Sequence, residues 1–401
     1  MRTWWQPQGV ARRFVTDLLA DEIARQRRGG VPPAPEWRGE WRLDEELGAD
    51  SLELVGLATA LAEALHLHAS GIEDYLLARR TLDDWVAIAE AGLTRFSDRL
   101  TFRTSGSTGA PKPCVHALET LLQETAHLAT LLPGRRRVLC AVPSHHIYGF
   151  LFSVLLPRDL GLSAEDVVDL RASTPAWLAH GARAGDLVIA HPAYWQAVAR
   201  TVPQWPADVV GVTSTSPCPD SVAEALVTAG LSRLVQVYGA SETAGIAARD
   251  SHQAPFALFP YWRFGGQAEI VRSMPDGAER THALPDRLEQ CTERSFRVLG
   301  RRDAAVQVGG INVFPTRVRD VLCRHPAVQD AIVRLMRPDE GERLKAFIVP
   351  RASAPAGNAL VLDLRQWVDR ELAPPERPRA FCFGSSLPVS ATGKQADWLL
   401  D

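Results

Sequence analysis

Lysine is almost absent from this chain. Of its 44 basic residues only three are Lys, at positions 112, 345 and 394, and the other 41 are Arg. An ammonium is a compact point charge and a guanidinium a rigid fork. A Lys kept against such a background is therefore a candidate for work that Arg cannot do. Charge of one sign is also lacking. A net charge of −3 gives no electrostatic case for binding nucleic acid or an anionic membrane. The longest apolar run, 138–157, is broken by Pro143, His145 and His146, and reads as a strand and pocket loop, not a membrane span. Six cysteines (114, 140, 218, 291, 323, 382) show no paired spacing, which implies reduced thiols in a cytoplasmic protein. Eleven histidines make no metal-ligand spacing, and no repeat or apolar signal core is found. With 46% apolar residues in 401, two or three domains with real cores are expected.

The richest segment present is Thr104-Ser105-Gly106-Ser107-Thr108-Gly109-Ala110-Pro111-Lys112. Its glycines let backbone N–H groups turn toward an anion. Ser105, Ser107 and Thr108 add hydroxyl donors, and Lys112 a movable positive charge. The spacing differs from that of the Walker P-loop. Lys394 ends a second glycine-containing loop, Leu387-Pro388-Val389-Ser390-Ala391-Thr392-Gly393-Lys394.

These segments resemble motifs of the adenylate-forming superfamily, which includes acyl- and aryl-CoA synthetases and peptide-synthetase adenylation domains. Thr104–Lys112 is similar to its phosphate loop, and Pro143–Phe150 to its aromatic-pocket motif, with His146 in the His position. Tyr238-Gly239-Ala240-Ser241-Glu242-Thr243 resembles Tyr-Gly-x-Thr-Glu, with Ser for Thr. Gly300-Arg301-Arg302-Asp303 and Gly309–Pro315 resemble the hinge region, and Lys394 falls on the catalytic C-terminal Lys. The resemblance covers residues 98–401. Departures are Thr213-Ser214-Thr215-Ser216-Pro217 in place of the adenine-side glycines, Leu284-Pro285-Asp286 in place of Thr-Gly-Asp, and the absence of a large subdomain before the loop.

The first hundred residues resemble an acyl carrier protein. In Leu47-Gly48-Ala49-Asp50-Ser51-Leu52-Glu53-Leu54, Ser51 occupies the phosphopantetheine position, and Asp50 or Ser51 can cap a helix whose apolar residues are Leu52, Val55, Ala58, Leu61 and Leu65. Flanking amphipathic patterns around Phe14–Ile23 and Leu82–Ala89 complete a small helical bundle. The expected organisation is α/β: a carrier-like bundle over 1–95, a shortened parallel-sheet adenylating core over 98–300, and a C-terminal α+β lid over 301–401. A short linker and the missing subdomain predict that the bundle packs on the core.

Strands are expected at 101–103, 138–142, 186–190, 209–212 and 234–237, alternating with helices, which implies a parallel sheet with ligands beyond its carboxyl ends. Further strands at 331–333 and 346–349 and a helix over 361–372 belong to the C-terminal unit.

The resemblance implies ATP-dependent activation of a carboxylic acid, with Mg²⁺. Glu242, with Thr108, would hold the metal, and the phosphate loop with Lys112 the phosphates. Ser216, Tyr238, Gly239 and Ser241 would line the adenine side, and Asp286 and Arg301 the ribose. Lys394 would bridge carboxylate and α-phosphate, and His146 would line the acid pocket with aromatic Tyr148, Phe150 and Trp195. Asp303 would be the hinge that withdraws Lys394. Three readings stay open: loading of an acid onto a carrier protein, its own at Ser51 or a separate one; a free CoA ligase; and a fold that only binds a partner. A carrier-like unit joined to a shortened adenylating unit resembles ligases of bacterial aryl polyene pigment pathways, which points to a hydroxybenzoate-like acid.

Overall fold

Val138–Cys140, Leu187–Ala190, Val210–Thr213 and Leu234–Val237 are nearly unbroken runs of apolar residues, as strands buried on both faces require. The computed structural model describes residues 3–27, 37–104, 112–266, 268–302, 305–337, 339–355, 357–388 and 397–400. In it these runs are the centre of a nine-stranded sheet. Val167–Asp169, Arg137–Cys140, Asp186–Ala190, Val210–Thr213 and Arg233–Ala240 lie side by side and parallel. Ala244–Arg249 and Phe256–Leu258 continue it antiparallel. Helices Pro192–Thr201 and Asp220–Thr228 are the crossovers, and with the sheet they bury Leu139, Val188, Trp195, Val198, Val209, Leu226 and Leu234 in one core.

The chain divides into two compact units. The first takes in the described residues up to Leu284 together with Leu288–Arg297, and the second is built mainly from Val298–Asp401. The expected boundary near residue 95 does not separate units: the N-terminal helices belong to the same unit as the sheet.

Those helices are α1 (Val10–Gln26), α2 (Ser51–Leu65), α3 (Tyr75–Ala78) and α4 (Leu82–Arg95). Asp50 starts α2. Its side chain accepts from the Leu52 and Glu53 N–H groups, at 2.9 and 2.8 Å, while Glu53 accepts the Asp50 N–H at 3.0 Å. This is a capping box, and it leaves Ser51 as the first helical residue, exposed. The buried face of α2 is Leu54, Leu57, Ala58, Leu61 and Leu65. Leu52 and Val55, expected inside, point outward at 81% and 48% exposure.

Only residues 96–98 separate α4 from the hairpin Arg99–Thr104/Lys112–Ala117, fewer than the ten-residue linker expected. The bundle and the sheet share aromatic packing. Trp4 and Phe14 meet Phe150 with ring centroids 5.0 and 5.7 Å apart, and Phe102 meets Phe150 at 5.4 Å. Polar ties accompany it. Buried Asp17 accepts the Ser144 N–H at 2.7 Å and its Oγ–H at 2.6 Å, and pairs with Arg171 at 2.7 Å. Arg103 reaches Glu63 at 2.6 Å and Glu22 at 3.2 Å, and Thr101 Oγ1 lies 3.0 Å from His66 Nε2.

In the second unit, Val328–Leu335, Leu344–Pro350 and Ala380–Phe383 form a three-stranded sheet beside helices Pro315–Cys323 and Asn358–Glu371. The last strand is absent from the expectations, because Ala-Phe-Cys-Phe shows no alternation. Gly309 and Gly310, at φ 58° and 81°, form the two-residue turn of the Val306–Val308/Ile311–Val313 ribbon, which needs left-handed residues at both positions. Lys345 is wholly buried. Its Nζ lies 2.7 Å from Glu340, 3.1 Å from Asp397 and 2.5 Å from the Trp398 carbonyl oxygen.

Removing one partner of a buried pair leaves the other charge uncompensated. Asp17→Ala should therefore destabilise the protein by about 3 kcal/mol, read as a lowered urea midpoint. An unchanged midpoint would show that Asp17 does not fasten α1 to the sheet.

Candidate active site

Four loops leave the carboxyl ends of the parallel strands, where open α/β sheets hold their ligands. They carry His146, His191, the 214–217 segment and the 241–243 turn. The turn is built by hydrogen bonds. The Ala240 N–H donates to Thr243 Oγ1 at 3.1 Å, and that hydroxyl donates to the Ala244 carbonyl at 3.0 Å. Gly239 must be Gly, since a Cβ there would lie 2.1 Å from the Ala244 oxygen. Glu242 projects from this turn into solvent.

Lys112 stands at the loop end of the hairpin, opposite Thr104 in register. Its Nζ lies 3.6 Å from Glu242 Oε1, with both side chains exposed. Two residues singled out from sequences 130 positions apart are thus neighbours. Residues 105–111 lie outside the described part of the structure, and with them Ser105, Gly106, Ser107, Thr108 and Gly109, as does the Thr104 side chain. Lys394 and Asp303 lie outside it too.

His116 alternates with Cys114 on the inward face of the same strand. Buried, it donates from Nε2 to the Ser241 carbonyl at 2.6 Å. Burial pushes its pKa down to about 4, so it is neutral at pH 7 and locks the hairpin to the turn that carries Glu242. Below the turn, Glu124 accepts the Gly245 N–H at 2.9 Å. Arg272, also buried, donates to the Thr120 and Thr243 carbonyls and lies over the Tyr261 and Trp262 rings. Burial pushes the Glu124 carboxyl up to about 8, against the opposing pull of Arg272 and the Gly245 N–H. Sequence reasoning missed His116, Glu124 and Arg272. Only the alternation around His116 offered a signal.

Tyr238 is half-buried, edge-on to Phe296 at 5.2 Å and near Phe256 at 5.7 Å. Ser214 Oγ donates to the Val237 carbonyl at 2.9 Å and ties the 214–217 segment, with half-buried Ser216, beside that strand. In the second unit Asp286 and Arg301 face each other at 3.9 Å.

The expected aromatic wall is not formed. Trp195 is fully buried in the sheet core, donating to the Val212 carbonyl and covering the bare Gly211. Tyr148 is buried with its hydroxyl on the Ala190 and Val212 carbonyls, and Phe150 packs against Trp4 and Phe14. These rings hold the loop in place instead of facing a substrate. Gly149 permits that packing, because a Cβ would meet the Pro143 oxygen at 1.9 Å. His146 begins the short helix that follows, with its ring exposed beside His145. No helix among the described residues is long and apolar enough to cross a membrane.

Residues 101–260 match the model of the AMP-binding enzyme family, and residues 318–394 that of the AMP-binding enzyme C-terminal domain. The chain is 39% identical over 373 residues to a 4-coumarate–CoA ligase of Cereibacter sphaeroides, covering 91% of this chain and 87% of that one. To the 4-coumarate–CoA ligase of Rhodobacter capsulatus it is 38% identical over 402 residues, covering 97% of this chain and all of the other. The N-terminal helices therefore have counterparts in relatives of the same length. Among solved structures, an o-succinylbenzoate CoA synthetase from Bacillus subtilis shares the fold at TM-score 0.58 and 20% identity, covering 74% of this chain and 67% of that one. An amide bond synthetase from Marinactinospora thermotolerans shares it at TM-score 0.58 and 18% identity, over 96% of this chain and 92% of the other.

A group whose pKa is raised by folding contributes stability that is full below its unfolded pKa and lost as pH rises through the folded one. For Glu124 that window runs from about 4.5 to about 8. The thermal midpoint of the wild type should fall across it relative to Glu124→Gln, with the two curves converging toward low pH. Parallel curves would show that Glu124 is ionised throughout.

Proposed function

The chain belongs to the AMP-binding family of adenylate-forming enzymes, whose members here are AMP-forming acid–thiol ligases, and on that premise we propose that it activates an aromatic, hydroxycinnamate-type acid and passes it to the thiol of coenzyme A. The end-to-end similarity to 4-coumarate–CoA ligases carries this reading. It also favours coenzyme A over a carrier protein, since the N-terminal helices recur in relatives named as CoA ligases.

The first step brings a carboxylate against the α-phosphate of ATP and expels pyrophosphate. Two anions must meet, so positive charge has to be fixed in place before they do. In this reading Lys112 faces the phosphates from the loop end of the hairpin, and Lys394 bridges the carboxylate and the α-phosphate. Tyr238 and Ser216 flank the adenine, with Gly239 and Ser241 shaping the backbone between them, and Asp286 and Arg301 take the ribose hydroxyls. Glu242 offers an exposed carboxylate on a turn braced by Thr243 and His116, which suits Mg²⁺ as a hard oxygen ligand, with Thr108 as a second. When bound, that ion supplies charge neutralisation across the phosphate oxygens. In the second step the thiol displaces AMP from the acyl-adenylate, with rotation of the C-terminal unit about Asp303 withdrawing Lys394.

Carrier loading is the second reading, favoured by one observation: Ser51 is exposed at the start of a capped helix, beside exposed Leu52 and Val55. Intact mass separates the two. Coexpression with a phosphopantetheinyl transferase should leave the chain unmodified, and Ser51→Ala should keep wild-type CoA-thioester formation. A pantetheine adduct on Ser51 that becomes acylated would favour carrier loading.

ATP–pyrophosphate exchange tests the first step. Exchange should depend on added acid, and kcat/KM should be higher for 4-coumarate than for octanoate. A higher value for the fatty acid would overturn the substrate assignment. Lys394→Arg should lose at least a hundredfold of exchange, because removing one preorganised charge-stabilising group costs about that much. Wild-type exchange in the Arg variant would remove Lys394 from the chemistry.

A further inference from the structure

His191 is the first residue beyond strand Asp186–Ala190 and the cap of helix Pro192–Thr201. Its Nδ1 accepts the Tyr194 N–H at 3.3 Å, and the Tyr194 ring stands edge-on to the imidazole with centroids 6.3 Å apart. A ring nitrogen that accepts a hydrogen bond carries no proton, so the proton of the neutral imidazole is on Nε2. Among the described residues no acceptor meets that Nε2–H. Burial lowers the pKa of the ring, in keeping with the neutral form. Ser, Thr, Asp and Asn are the preferred helix caps. Capping alone therefore does not explain a half-buried imidazole at this position.

The neighbours of His191 are two of the loops at the carboxyl ends of the strands. Ala190, which precedes it, lies opposite Thr213 in register, just before Ser214–Pro217. The Ala190 carbonyl also accepts the hydroxyl of Tyr148, two residues after His146. Strand Arg233–Ala240, which leads to Glu242, lies two places along the sheet from strand Asp186–Ala190. Neighbouring strands are about 4.8 Å apart, so the two strand ends are separated by roughly 10 Å. In the ligase reading, carboxylate and α-phosphate meet at the Glu242 end. A hydroxycinnamate laid from there along the edge of the sheet brings its ring hydroxyl toward His191.

We propose that His191 is a specificity-determining residue, whose Nε2–H donates to the ring oxygen of the acid and so selects acids that carry one. The assignment rests on the ligase reading and deepens it. The backbone N–H of Tyr194 fixes which ring nitrogen carries the proton, so the site presents a donor at the end of the acid remote from the chemistry. An acid without the ring hydroxyl leaves that donor unanswered.

ATP–pyrophosphate exchange with 4-coumarate and with cinnamate, which lacks only the ring hydroxyl, tests this. The wild type should favour 4-coumarate at least tenfold in kcat/KM, because a site built to hydrogen-bond a hydroxyl rejects the analogue without it. His191→Asn keeps a capping side chain and removes the donor at that reach. It should lose the preference, chiefly through a higher KM for 4-coumarate, while cinnamate activation and the thermal midpoint stay near wild type. His191→Gln, whose longer side chain brings an N–H donor back, should restore part of it. If His191→Asn does not fold, His191→Ser, another capping residue without that reach, decides. A wild-type preference kept in the folded Asn or Ser variant, an equal loss for both acids, or no preference in the wild type would overturn the assignment and leave the ligase reading standing. Exchange with neither acid in the wild type would overturn the substrate reading and this assignment with it.

Discussion

The Asp17 carboxylate answers three donors: the backbone N–H of Ser144, its hydroxyl, and the guanidinium of Arg171. Asp17 comes from the first helix. Ser144 belongs to the loop that follows the strand Arg137–Cys140, and Arg171 follows the parallel neighbour Val167–Asp169. A charge buried this deeply is tolerable only when its oxygens are fully answered. Meeting that requirement fixes where α1 lies on the sheet. The rings of Trp4, Phe14, Phe102 and Phe150 then close over one apolar volume, to which bundle, hairpin and pocket loop all contribute. The N-terminal helices thus cover this side of the sheet.

The same economy governs the nucleotide side. Lys112 and Glu242 face each other because two rigid pieces meet: a hairpin in strict register and a turn closed by Thr243. His116, neutral at pH 7, joins the two by donating from Nε2 to the Ser241 carbonyl. Glu124 and Arg272 support the turn from below without touching solvent. Polar residues with no outward face therefore position the residues that have one.

Much of this was legible. The parallel strands announced themselves because β-strands buried on both faces must be apolar throughout, and the motif loops followed them as the fold requires. The start of α2 was legible too, although Asp50 and Ser51 could not be told apart until the hydrogen bonds were seen. What failed were judgements that need the third dimension. Leu52 and Val55 fit a three/four spacing as well as Leu54 and Leu57 do, and only the position of α1 decides which face is covered. Tyr148, Phe150 and Trp195 are aromatic residues near a pocket motif, yet their partners are Val212, Ala190, Trp4 and Phe14, none close to them in sequence. Glu124 and Arg272 carry no spacing at all, because their relationship exists only after folding.

Lysine scarcity illustrates how a sound physical criterion can select for two different reasons. It drew attention to Lys112 and Lys394 as charges aimed at phosphate. Lys345 meets the same criterion and is a core residue. Three oxygens, from Glu340, Asp397 and the Trp398 carbonyl, converge on its Nζ. The three hydrogens of an ammonium match that arrangement, whereas the planar fork of Arg presents its donors in one plane and is wider. The compactness that suits Lys to a crowded transition state also suits it to a crowded interior. The consequence reaches the chemistry through the backbone. Asp397 and Trp398 follow Lys394 by three and four residues, so the charge buried at Lys345 fastens to the second unit one end of the segment that carries the proposed catalytic Lys.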